Sequence, residues 1–392
     1  MKLLIVSREH SGDRIFGLGK TVSCIADGLK ALGHSVRYIT VSDWSEEDHT
    51  QFKKTIVQGS FIARMFGFKE YLMPALAERF VQGKIAYKIA HAEEYTHVWL
   101  QDPWIALGYL FAKLLNIRPS KKVFFGVSEH GYGSFTQAVI ADGLLLDEKW
   151  TCLLLKLEHY VLKKASFVWS PSHAALAMLT KEMHYPVTPR HWHVMGYGKP
   201  HMNVISKHEA RHALGWNETY SYVIAVGRVA PVKRYELIIE ACAKAERLSQ
   251  QPLQLVIVGA THDDALVHFA QHCGLQNPPL FYLDTSVESY LSAADIYMSG
   301  CEQESFGMAN MEAICANLPS IIAAGGGSLE VVSYGGWLCH VNVDSFTYAL
   351  SSLLNDTTLR IFWSNNAKER SKDYPEWKDI VIEYEKTLLG LV

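Results

Sequence analysis

The segment that decides the fold reads Glu304-Ser-Phe-Gly-Met-Ala-Asn-Met-Glu312. It follows a short apolar run, Ile296 to Ser299, which predicts a β-strand, and we predict a helix over Gly307 to Ala316. Because a helix rises about 1.5 Å per residue, eight residues would separate the two carboxylates by about 12 Å along its axis. Carboxylates accept hydrogen bonds from hydroxyl groups, and amides at a helix start favour an anion. The segment therefore predicts a site for a long ligand with hydroxyls at both ends and a diphosphate between them.

Two glutamates on a helix are, taken alone, more typical of surface charge. Here Phe306 and Gly307 accompany them, and a glycine run, Gly325 to Gly327, follows the next predicted strand. Glycines permit close approach of one backbone to another or to a ligand. These neighbours favour the binding site over the surface-charge interpretation.

Short apolar runs alternate with amphipathic segments of helical length on both sides of this motif, a pattern typical of βαβ units and parallel sheets. The predicted strands are Lys2 to Ser7, Ser35 to Val41, His97 to Gln101, Lys122 to Val127, Phe167 to Ser170, Tyr222 to Val226, Leu253 to Val258, Leu280 to Leu283, Ile296 to Ser299 and Ser320 to Ala323. The other predicted helices include Thr21 to Leu32, Tyr235 to Leu248, Asp263 to His272 and Glu376 to Leu389. We therefore predict an α/β fold with two Rossmann-like, doubly wound parallel-sheet domains that face a central cleft.

The predicted linker is Met195-Gly-Tyr-Gly-Lys-Pro-His-Met-Asn-Val, which is rich in glycine, proline and polar residues. It divides the chain into an N-terminal domain over residues 1–198, joined by a C-terminal helix at about 376–392, and a C-terminal domain over residues 199–375. A length of 392 residues suits two such domains.

The composition excludes several classes of protein. With 49% hydrophobic and 20% charged residues, the chain is globular rather than disordered or fibrous. Seven scattered cysteines without a Cys-x-x-Cys pair predict reduced thiols. No stretch approaches the roughly 20 apolar residues of a membrane span. The N-terminal apolar run is short and predicts a first strand rather than a signal peptide, so we expect a cytoplasmic protein.

Positive charge is concentrated in the first half: residues 1–195 carry 23 Lys and Arg against 18 Asp and Glu, although the whole chain has a net charge of -3. A basic half suits an anionic membrane or acceptor, and a scattered solvated face is the alternative. The segment Phe61 to Met73 mixes apolar, aromatic and basic side chains. It is compatible with peripheral contact at the inner face of a membrane, and equally with a helix packed on the core.

A glycine-containing loop follows the first predicted strand, with Gly17 and Gly19 opening the next helix. Such glycines let backbone amides approach a phosphate at the helix N-terminus, and a tight strand-to-helix turn is the alternative. A Walker A loop is excluded, because Arg14 stands where its first glycine is required. A G-x-G-x-x-G dinucleotide motif is excluded too, because Val22 stands at its last glycine position.

A pair of cations follows the strand Tyr222 to Val226 in the sequence Gly227-Arg228-Val-Ala-Pro-Val-Lys233. Two cations on one strand-end loop can converge on a diphosphate, Arg through its fork and Lys as a point charge. They would stabilise a nucleoside diphosphate most strongly as it leaves and gathers charge. Solvated loop charges are the alternative.

Together these motifs resemble the family 4 glycosyltransferases, which have the GT-B fold. The family's E-x7-E pattern matches at Glu304 and Glu312, and its Gly-Arg-x4-Lys loop begins at Gly227. Its glycine loop corresponds to the region of Gly17 and Gly19. The resemblance implies an acceptor-side N-terminal domain and a C-terminal domain that binds a nucleotide sugar. The residues that it implies for donor binding are Gly17, Gly19, Arg228, Lys233, Glu304, Ser305, Phe306, Gly307, Met308 and Glu312.

The resemblance also implies individual roles. Glu304 would bind the hydroxyls of the donor sugar, Glu312 the ribose, and Arg228 with Lys233 the diphosphate. The family has a histidine near the donor sugar, and His130 best matches it by position. His130, Arg228, Lys233 and Glu304 are thus the predicted catalytic residues.

Two alternatives stay open around this assignment. A structural, hydrogen-bonded histidine is the alternative for His130, and its neighbour Glu129 is a competing functional group. The chain also departs from the family at Ser305, where the family usually has glycine, so Ser305 bears on the choice of donor sugar.

The resemblance implies a retaining hexosyl transfer in which the leaving phosphate helps to deprotonate the acceptor hydroxyl. The chain contains no Asp-x-Asp, the metal-binding motif of the other large glycosyltransferase fold, so we expect no metal and no other cofactor. The expected donor is a UDP- or GDP-sugar. The acceptor would be a carbohydrate, a lipid-linked glycan or a protein, as in glycan, polysaccharide, glycolipid or glycoconjugate synthesis, with no nucleic acid partner.

Two other functions fit parts of the pattern. A related GT-B enzyme such as a sugar-nucleotide epimerase would use the same donor groups, whereas a phosphorylase would need a cofactor lysine and a longer chain. A non-catalytic module that binds nucleotide sugars or glycans is the alternative outside enzymes.

Overall fold

The computed structural model describes residues 1–9, 17–116, 122–284 and 286–391. The chain divides into two compact units. The first unit comprises Met1–Ile140, Leu144–Tyr197 and Glu376–Val392, and the second comprises Ala141–Gly143 and Gly198–Pro375. The sequence placed the corresponding boundaries at residues 198 and 375.

The first unit contains a six-stranded parallel sheet with the order β2-β1-β3-β4-β5-β6. Its strands are β1 Lys2–Val6, β2 Ser35–Ile39, β3 His97–Leu100, β4 Phe124–Ser128, β5 Phe167–Ser170 and β6 Trp192–Val194. Its helices are α1 Gly17–Ala31, α2 Glu46–Met65, α3 Met73–Ala92, α4 Pro103–Leu115, α5 Phe135–Ala141, α6 Glu148–Lys164 and α7 His173–Glu182. The central strands read as continuous apolar runs because both faces of a parallel sheet are covered by helices.

The second unit repeats this architecture, with a six-stranded parallel sheet of order β12-β11-β10-β7-β8-β9. Its strands are β7 Ser221–Val226, β8 Leu253–Val258, β9 Leu280–Tyr282, β10 Ile296–Ser299, β11 Ser320–Ala323 and β12 Trp337–Cys339. Its helices are α8 Lys207–Leu214, α9 Tyr235–Ser249, α10 Asp264–Cys273, α11 Glu288–Ala293, α12 Met308–Cys315, α13 Ser328–Val332, α14 Val343–Asn355 and α15 Thr357–Arg370. The prediction of two doubly wound α/β sheets is confirmed.

The last helix, α16 Trp377–Leu389, returns to the first unit. It packs on α1 so closely that a Cβ atom at Gly28 would lie 2.5 Å from Val381. Polar contacts anchor it as well: His34 Nε2 lies 2.6 Å from Glu385 Oε1, and His97 Nε2 lies 3.0 Å from the Leu388 carbonyl. The helix is therefore part of the core of the first unit although it lies at the far end of the sequence.

One long helix is largely exposed. Of the 20 residues of α2, all of which the structure describes, only Ala63 is buried. The helix begins at a capping box, in which the Ser45 hydroxyl accepts from the Asp48 amide and the Asp48 carboxylate accepts from the Ser45 amide. Across the described part of the chain, no helix combines the length and apolar character needed to cross a membrane.

Candidate active site

The motif from Glu304 to Glu312 lies at the carboxyl end of β10, in the second unit. Its helix, α12, begins at Met308, and the cap residue Gly307 has φ +101°, a left-handed conformation that favours glycine. Glu304 therefore lies in the loop before the helix. The predicted separation of about 12 Å along one helix axis is wrong, because only the part from Met308 onward is helical.

The glycine run between β11 and α13 packs directly against this loop. A Cβ atom at Gly325 would lie 2.4 Å from the Glu302 carbonyl oxygen, and one at Gly327 would lie 2.4 Å from the Ser305 carbonyl oxygen. Gly326 has φ +53°, and a Cβ atom there would lie 2.3 Å from the Glu304 carbonyl oxygen. The Gly327 amide also donates to that oxygen at 2.7 Å. The three glycines are thus required by contact with the motif's own backbone, and they fix the position of Glu304.

A buried hydrogen-bond chain supports the motif from below. The Tyr297 hydroxyl on β10 donates to Asn310 Oδ1 at 2.8 Å, and Asn310 Nδ2 donates to Ser328 Oγ at 2.9 Å. All three side chains are buried. The chain connects the strand, α12 and α13, so that the loop between β10 and α12 is held at both ends.

The central contact of the site is an ion pair between two predicted residues. Lys233 Nζ donates to Glu304 Oε2 at 3.0 Å, and both side chains are largely buried, with 23% and 17% of their surface exposed. The Glu304 carboxylate raises the pKa of Lys233 above its usual value, and burial opposes this only in part. Lys233 is therefore held as a cation, and Glu304 as its counter-ion.

The loop that carries Lys233 is shaped by glycine and tyrosine. Gly227 has φ +141°, and a Cβ atom there would lie 3.3 Å from Lys233 Cε. The buried Tyr235 donates its hydroxyl to the Gly227 carbonyl at 2.6 Å. Gly300, one residue after β10, allows the carbonyl oxygens of Lys233 and Arg234 to approach to about 3 Å from the position of a Cβ atom. These contacts explain how the two strand-end loops come close enough for the Lys233–Glu304 pair.

Arg228 is placed differently from Lys233. Its guanidinium pairs at 2.5 Å with Asp142, one of the three residues Ala141–Gly143 that group with the second unit. The side chain is 59% exposed. The structure thus joins Lys233 to Glu304 and joins Arg228 to Asp142 instead of bringing both cations onto one partner.

The other residues of the predicted donor site surround this pair. Phe306 and Gly307 are buried, while Ser305 and Met308 are partly buried. Glu312 lies in α12, one turn beyond its start, and is partly buried. Among the residues that the structure describes, no group of three or more His, Cys, Asp or Glu side chains is arranged to hold a metal ion.

In the first unit, Gly17 and Gly19 lie in the first turn of α1. Gly17 has φ +24°, and its carbonyl accepts from the Thr21 hydroxyl at 3.1 Å. Gly19 is buried. The rest of the predicted phosphate-facing loop, residues 11–16, lies outside the described residues.

His130, after β4 in the first unit, has both ring nitrogens engaged. Nε2 lies 2.9 Å from Gln101 Oε1, and Nδ1 lies 3.0 Å from the Tyr197 hydroxyl. Because Gln101 Oε1 only accepts, Nε2 carries the ring proton, and Nδ1 of the neutral ring accepts from Tyr197. Burial lowers the pKa of His130 to about 4. At neutral pH the ring is therefore an uncharged donor and acceptor rather than an imidazolium.

Sequence reasoning missed several residues that shape these sites: Gln101, Tyr197, Tyr235, Tyr297 and Asn310. One signal was available, since Asn310 is an amide on an otherwise apolar helix and such a residue, if buried, needs a partner. The partners of His130 are 29 and 67 residues away along the chain, and no local pattern marks them.

Comparison with known proteins adds the family. Residues 206–370 match the family described as glycosyl transferases group 1. An uncharacterized glycosyltransferase of Methanocaldococcus jannaschii is 28% identical over 181 residues, which cover 44% of this chain and 46% of the relative. The D-inositol 3-phosphate glycosyltransferase of Gordonia bronchialis is 32% identical over 142 residues, which cover 32% of this chain and 30% of the relative. The chain thus matches less than half the length of these curated relatives.

Solved structures match the whole chain. Sucrose-phosphate synthase from Thermosynechococcus elongatus has a TM-score of 0.75 at 17% identity, covering 100% of this chain and 98% of its own. HepE of Anabaena, solved in complex with UDP-glucose, has a TM-score of 0.68 at 17% identity, with 100% of both chains covered. At such identities the likeness concerns the fold, which is the GT-B fold of glycosyltransferases. Residues 206–370 thus match the group 1 family of glycosyl transferases, within a chain that has the GT-B fold along its whole length.

Proposed function

We propose that this protein is a retaining glycosyltransferase that moves a sugar from a UDP- or GDP-sugar to a hydroxyl acceptor in glycan, glycolipid or glycoconjugate synthesis. The observation that carries the proposal is the Lys233–Glu304 pair, set at two strand ends inside the segment that matches the group 1 family. The match to HepE, whose structure contains UDP-glucose, supports a nucleotide-sugar donor.

The ion pair suggests how the donor is accepted. Lys233 and Glu304 neutralise each other within a largely buried site, where either charge alone would be costly. A nucleotide sugar offers each a replacement, since its diphosphate can take the ammonium group of Lys233 and its sugar hydroxyls can donate to Glu304. Binding is then an exchange of partners that leaves neither group unpaired.

The remaining donor groups complete the assignment. Arg228 is exposed enough to turn from Asp142 to the diphosphate. Glu312 binds the ribose hydroxyls, and backbone groups of residues 305–308, together with Gly17 and Gly19, bind sugar and phosphate. His130 presents a neutral ring whose two nitrogens contact Gln101 and Tyr197, so a hydrogen bond with the donor sugar would replace one of these contacts.

The transfer breaks the bond between the anomeric carbon and the diphosphate oxygen, and the acceptor oxygen bonds to that carbon on the same face. The proton of the acceptor hydroxyl passes to the departing phosphate oxygen. Negative charge grows on the diphosphate as the bond breaks, so fixed cations stabilise the transition state more than the bound donor. We assign this work to Lys233 and Arg228 and expect transfer without a metal or other cofactor.

The exposed face of α2 supports peripheral contact with the inner face of a membrane. Val57, Phe61 and Met65 follow one another at four-residue spacing and are 64–70% exposed. Ile62 and Phe66 extend this apolar face. Exposed cations border it at Lys53, Lys54, Arg64 and Lys69, of which Arg64 is paired with Glu70 at 2.7 Å. The sequence interpretation of Phe61 to Met73 thus divides: residues 61–66 are exposed apart from Ala63, whereas Leu72 and Met73 pack in the core.

Apolar side chains ringed by cations suit the surface of an anionic bilayer, and we propose that the protein works in the cytoplasm on an acceptor presented there. Flotation with anionic and with uncharged vesicles tests this contact. The double variant Phe61→Ser, Met65→Ser should lose flotation with anionic vesicles, and Phe362→Ser, which removes another large exposed apolar side chain, that of α15, should not. Failure of the unmodified protein to float would remove the membrane contact and leave the transfer reaction unaffected.

Incubation with a panel of UDP-, GDP- and ADP-sugars and mixed acceptors tests the activity. A transferase releases the nucleoside diphosphate in amounts equal to the glycosylated acceptor, with and without a chelator. A sugar-nucleotide epimerase would change the sugar of the donor without making a glycosylated acceptor. A non-catalytic module would bind a donor saturably and consume none, which would overturn the proposal.

A further inference from the structure

A buried acid lies next to His130. Glu129 is fully buried, and neither carboxylate oxygen makes a regular hydrogen bond to a described residue, although the Glu158 carboxyl group lies close enough to share a proton with it. An ionised carboxylate without a partner is strongly disfavoured in such an environment, so the side chain holds a proton. Burial, followed by the nearby Glu158, raises the pKa of Glu129 well above its usual range.

The groups around Glu129 are mostly acidic. Glu158 of α6, Asp102 after β3 and Glu182 of α7 all lie close enough to raise its pKa. The cation Arg79 is already paired with Asp102, at 3.0 Å. The next residue, His130, is uncharged at neutral pH because burial lowers its pKa to about 4. A negative charge on Glu129 would therefore lie near three other carboxyl groups. The guanidinium of Arg79 would not offset that charge, because it is already paired with Asp102.

Two of these carboxylates hold the segment that follows His130. Glu158 accepts from the Phe135 amide at 2.8 Å and from the Thr136 amide and hydroxyl at 3.0 and 2.6 Å. Glu182 accepts from the Ser134 amide at 2.6 Å. The segment from His130 to Thr136, the histidine segment, is thus fastened at its far end by acids from two helices.

Close packing makes the histidine segment sensitive to movement of those acids. A Cβ atom at Gly133, which has φ +90°, would lie 2.6 Å from the Glu182 carboxylate. A Cβ atom at Gly131 would lie 2.3 Å from Ala138 Cβ. A shift of the acids therefore moves the backbone that carries His130.

We propose that Glu129 is a positioning residue that acts as an uncharged carboxylic acid: its proton lets Glu158 and Glu182 stay close and hold the histidine segment, and loss of that proton releases the segment. The consequence for catalysis rests on the proposed role of His130 in sugar transfer. The structural consequence, release of the segment, does not depend on any activity.

The direction of the pH effect follows from Glu129 and Glu158. The pKa values of both are raised in the folded protein, that of Glu158 to about 7, so the folded protein binds more protons than the unfolded chain. Stability is then fully present below the unfolded pKa and is lost as the pH rises through the folded values. Turnover should decline over the same alkaline range.

The test compares Glu129→Gln, which is uncharged at every pH and similar in shape, with Glu129→Ala, which is uncharged but leaves a gap. Urea unfolding at pH 6 and pH 9 supplies the first readout. We expect the wild-type midpoint to fall with pH and the midpoint of the Gln variant to fall less, because Glu158 is then the only one of the two acids that still titrates. Donor turnover supplies the second readout: we expect an alkaline decline in kcat for the wild type that is smaller in the Gln variant, and at least tenfold lower turnover for the Ala variant at pH 6.5.

Each outcome decides the proposal. A Gln variant that keeps the wild-type pH dependence of both unfolding and turnover would overturn it. A folded Gln variant without turnover at any pH would also overturn it, since the carboxylic acid would then have a chemical role. If the wild type transfers no sugar at all, the proposed function fails, and unfolding alone decides whether Glu129 controls the segment.

Discussion

The two units place functional groups at the same point of the same architecture, the carboxyl ends of parallel strands, but they stabilise them in opposite ways. In the second unit the site is an ion pair, Lys233 with Glu304, at 3.0 Å. In the first unit the corresponding groups are uncharged: His130 is neutral, with both nitrogens hydrogen bonded, and Glu129 beside it holds a proton.

This difference determines what a ligand must offer each unit before the groups of that unit can leave their present partners. Breaking the Lys233–Glu304 pair requires replacement charges, which a diphosphate and sugar hydroxyls supply. The neutral groups around His130 need only hydrogen bonds to remain satisfied when they are buried. What His130 can do for a ligand therefore depends on where its ring is held and not on a charge. On the proposed function, the second unit would bind the charged donor and the first would orient a neutral reacting group.

The largest effect should come from removing the charge on which the second site depends. Lys233→Ala leaves Glu304 buried without its partner and removes a cation from the diphosphate, so kcat/KM should fall on the order of 10²–10³-fold. Lys244→Ala serves as the control, because Lys244 pairs with Glu240 on the surface of α9. The measurement is kcat/KM for donor consumption by both variants. A kcat/KM of Lys233→Ala within threefold of the wild-type value would contradict the site assignment.

The next effect concerns backbone contact rather than charge. Gly326→Ala introduces a Cβ atom 2.3 Å from the Glu304 carbonyl in a left-handed residue, and we expect about 3 kcal/mol of destabilisation with loss of donor binding. Gly215→Ala is the matched control, since Gly215 is also left-handed, with φ +66°, but has open space around its Cβ position. It should cost about 1 kcal/mol. Equal unfolding free energies for the two variants would show that the contact between residue 326 and the Glu304 carbonyl oxygen contributes nothing to the destabilisation.

A third test addresses the neutral site. The folded pKa of His130 is depressed to about 4, so its contribution to stability is present above the unfolded pKa of about 6.5 and is lost as the pH falls toward 4. Between pH 7 and pH 4.5 the unfolding free energy should therefore fall by about 2 kcal/mol more in the wild type than in His130→Gln, as measured by urea unfolding at the two pH values. A Gln variant with the same acid sensitivity as the wild type would mean that the buried histidine is not the group responsible.

The fold was largely predictable because its central strands are buried on both faces. Four strands have the predicted bounds: Phe167–Ser170, Leu253–Val258, Ile296–Ser299 and Ser320–Ala323. Of the four edge strands, β2 and β9 were predicted and β6 and β12 were not. Shortness and exposure do not account for the difference, because β9 is three residues long and partly exposed, like β6 and β12. A buried run of apolar residues identifies a strand, whereas a short edge strand gives a weak local signal that can be missed.

The candidate site was predictable to a similar depth. Residue type and strand-end position predicted that Lys233 and Glu304 would serve one site, and the structure pairs them. Local sequence did not predict that Arg228 pairs with Asp142, because these residues lie far apart along the chain. The start of α12 was predicted to within one residue, at Gly307 against the observed Met308. The left-handed conformation of Gly307 stops the helix from extending back to Glu304, so the predicted separation of about 12 Å along one helix axis does not hold.

The smallest effect tests a residue that no motif marked. Tyr235→Phe keeps the buried ring but removes the hydroxyl that donates to the Gly227 carbonyl at 2.6 Å. The carbonyl is left with one hydrogen bond fewer, so the unfolding free energy should fall by about 1 kcal/mol. Because the loop that carries Lys233 is then less well held before the donor binds, the KM for the donor should rise a few-fold while kcat stays within about twofold. Tyr348→Phe, which alters an exposed ring of α14, should leave both parameters unchanged. A fall in kcat at constant KM would instead mean that the Tyr235 hydroxyl acts in the transition state. The charged site of the second unit would then use a neutral hydrogen-bonding group, as the site around His130 does in the first unit.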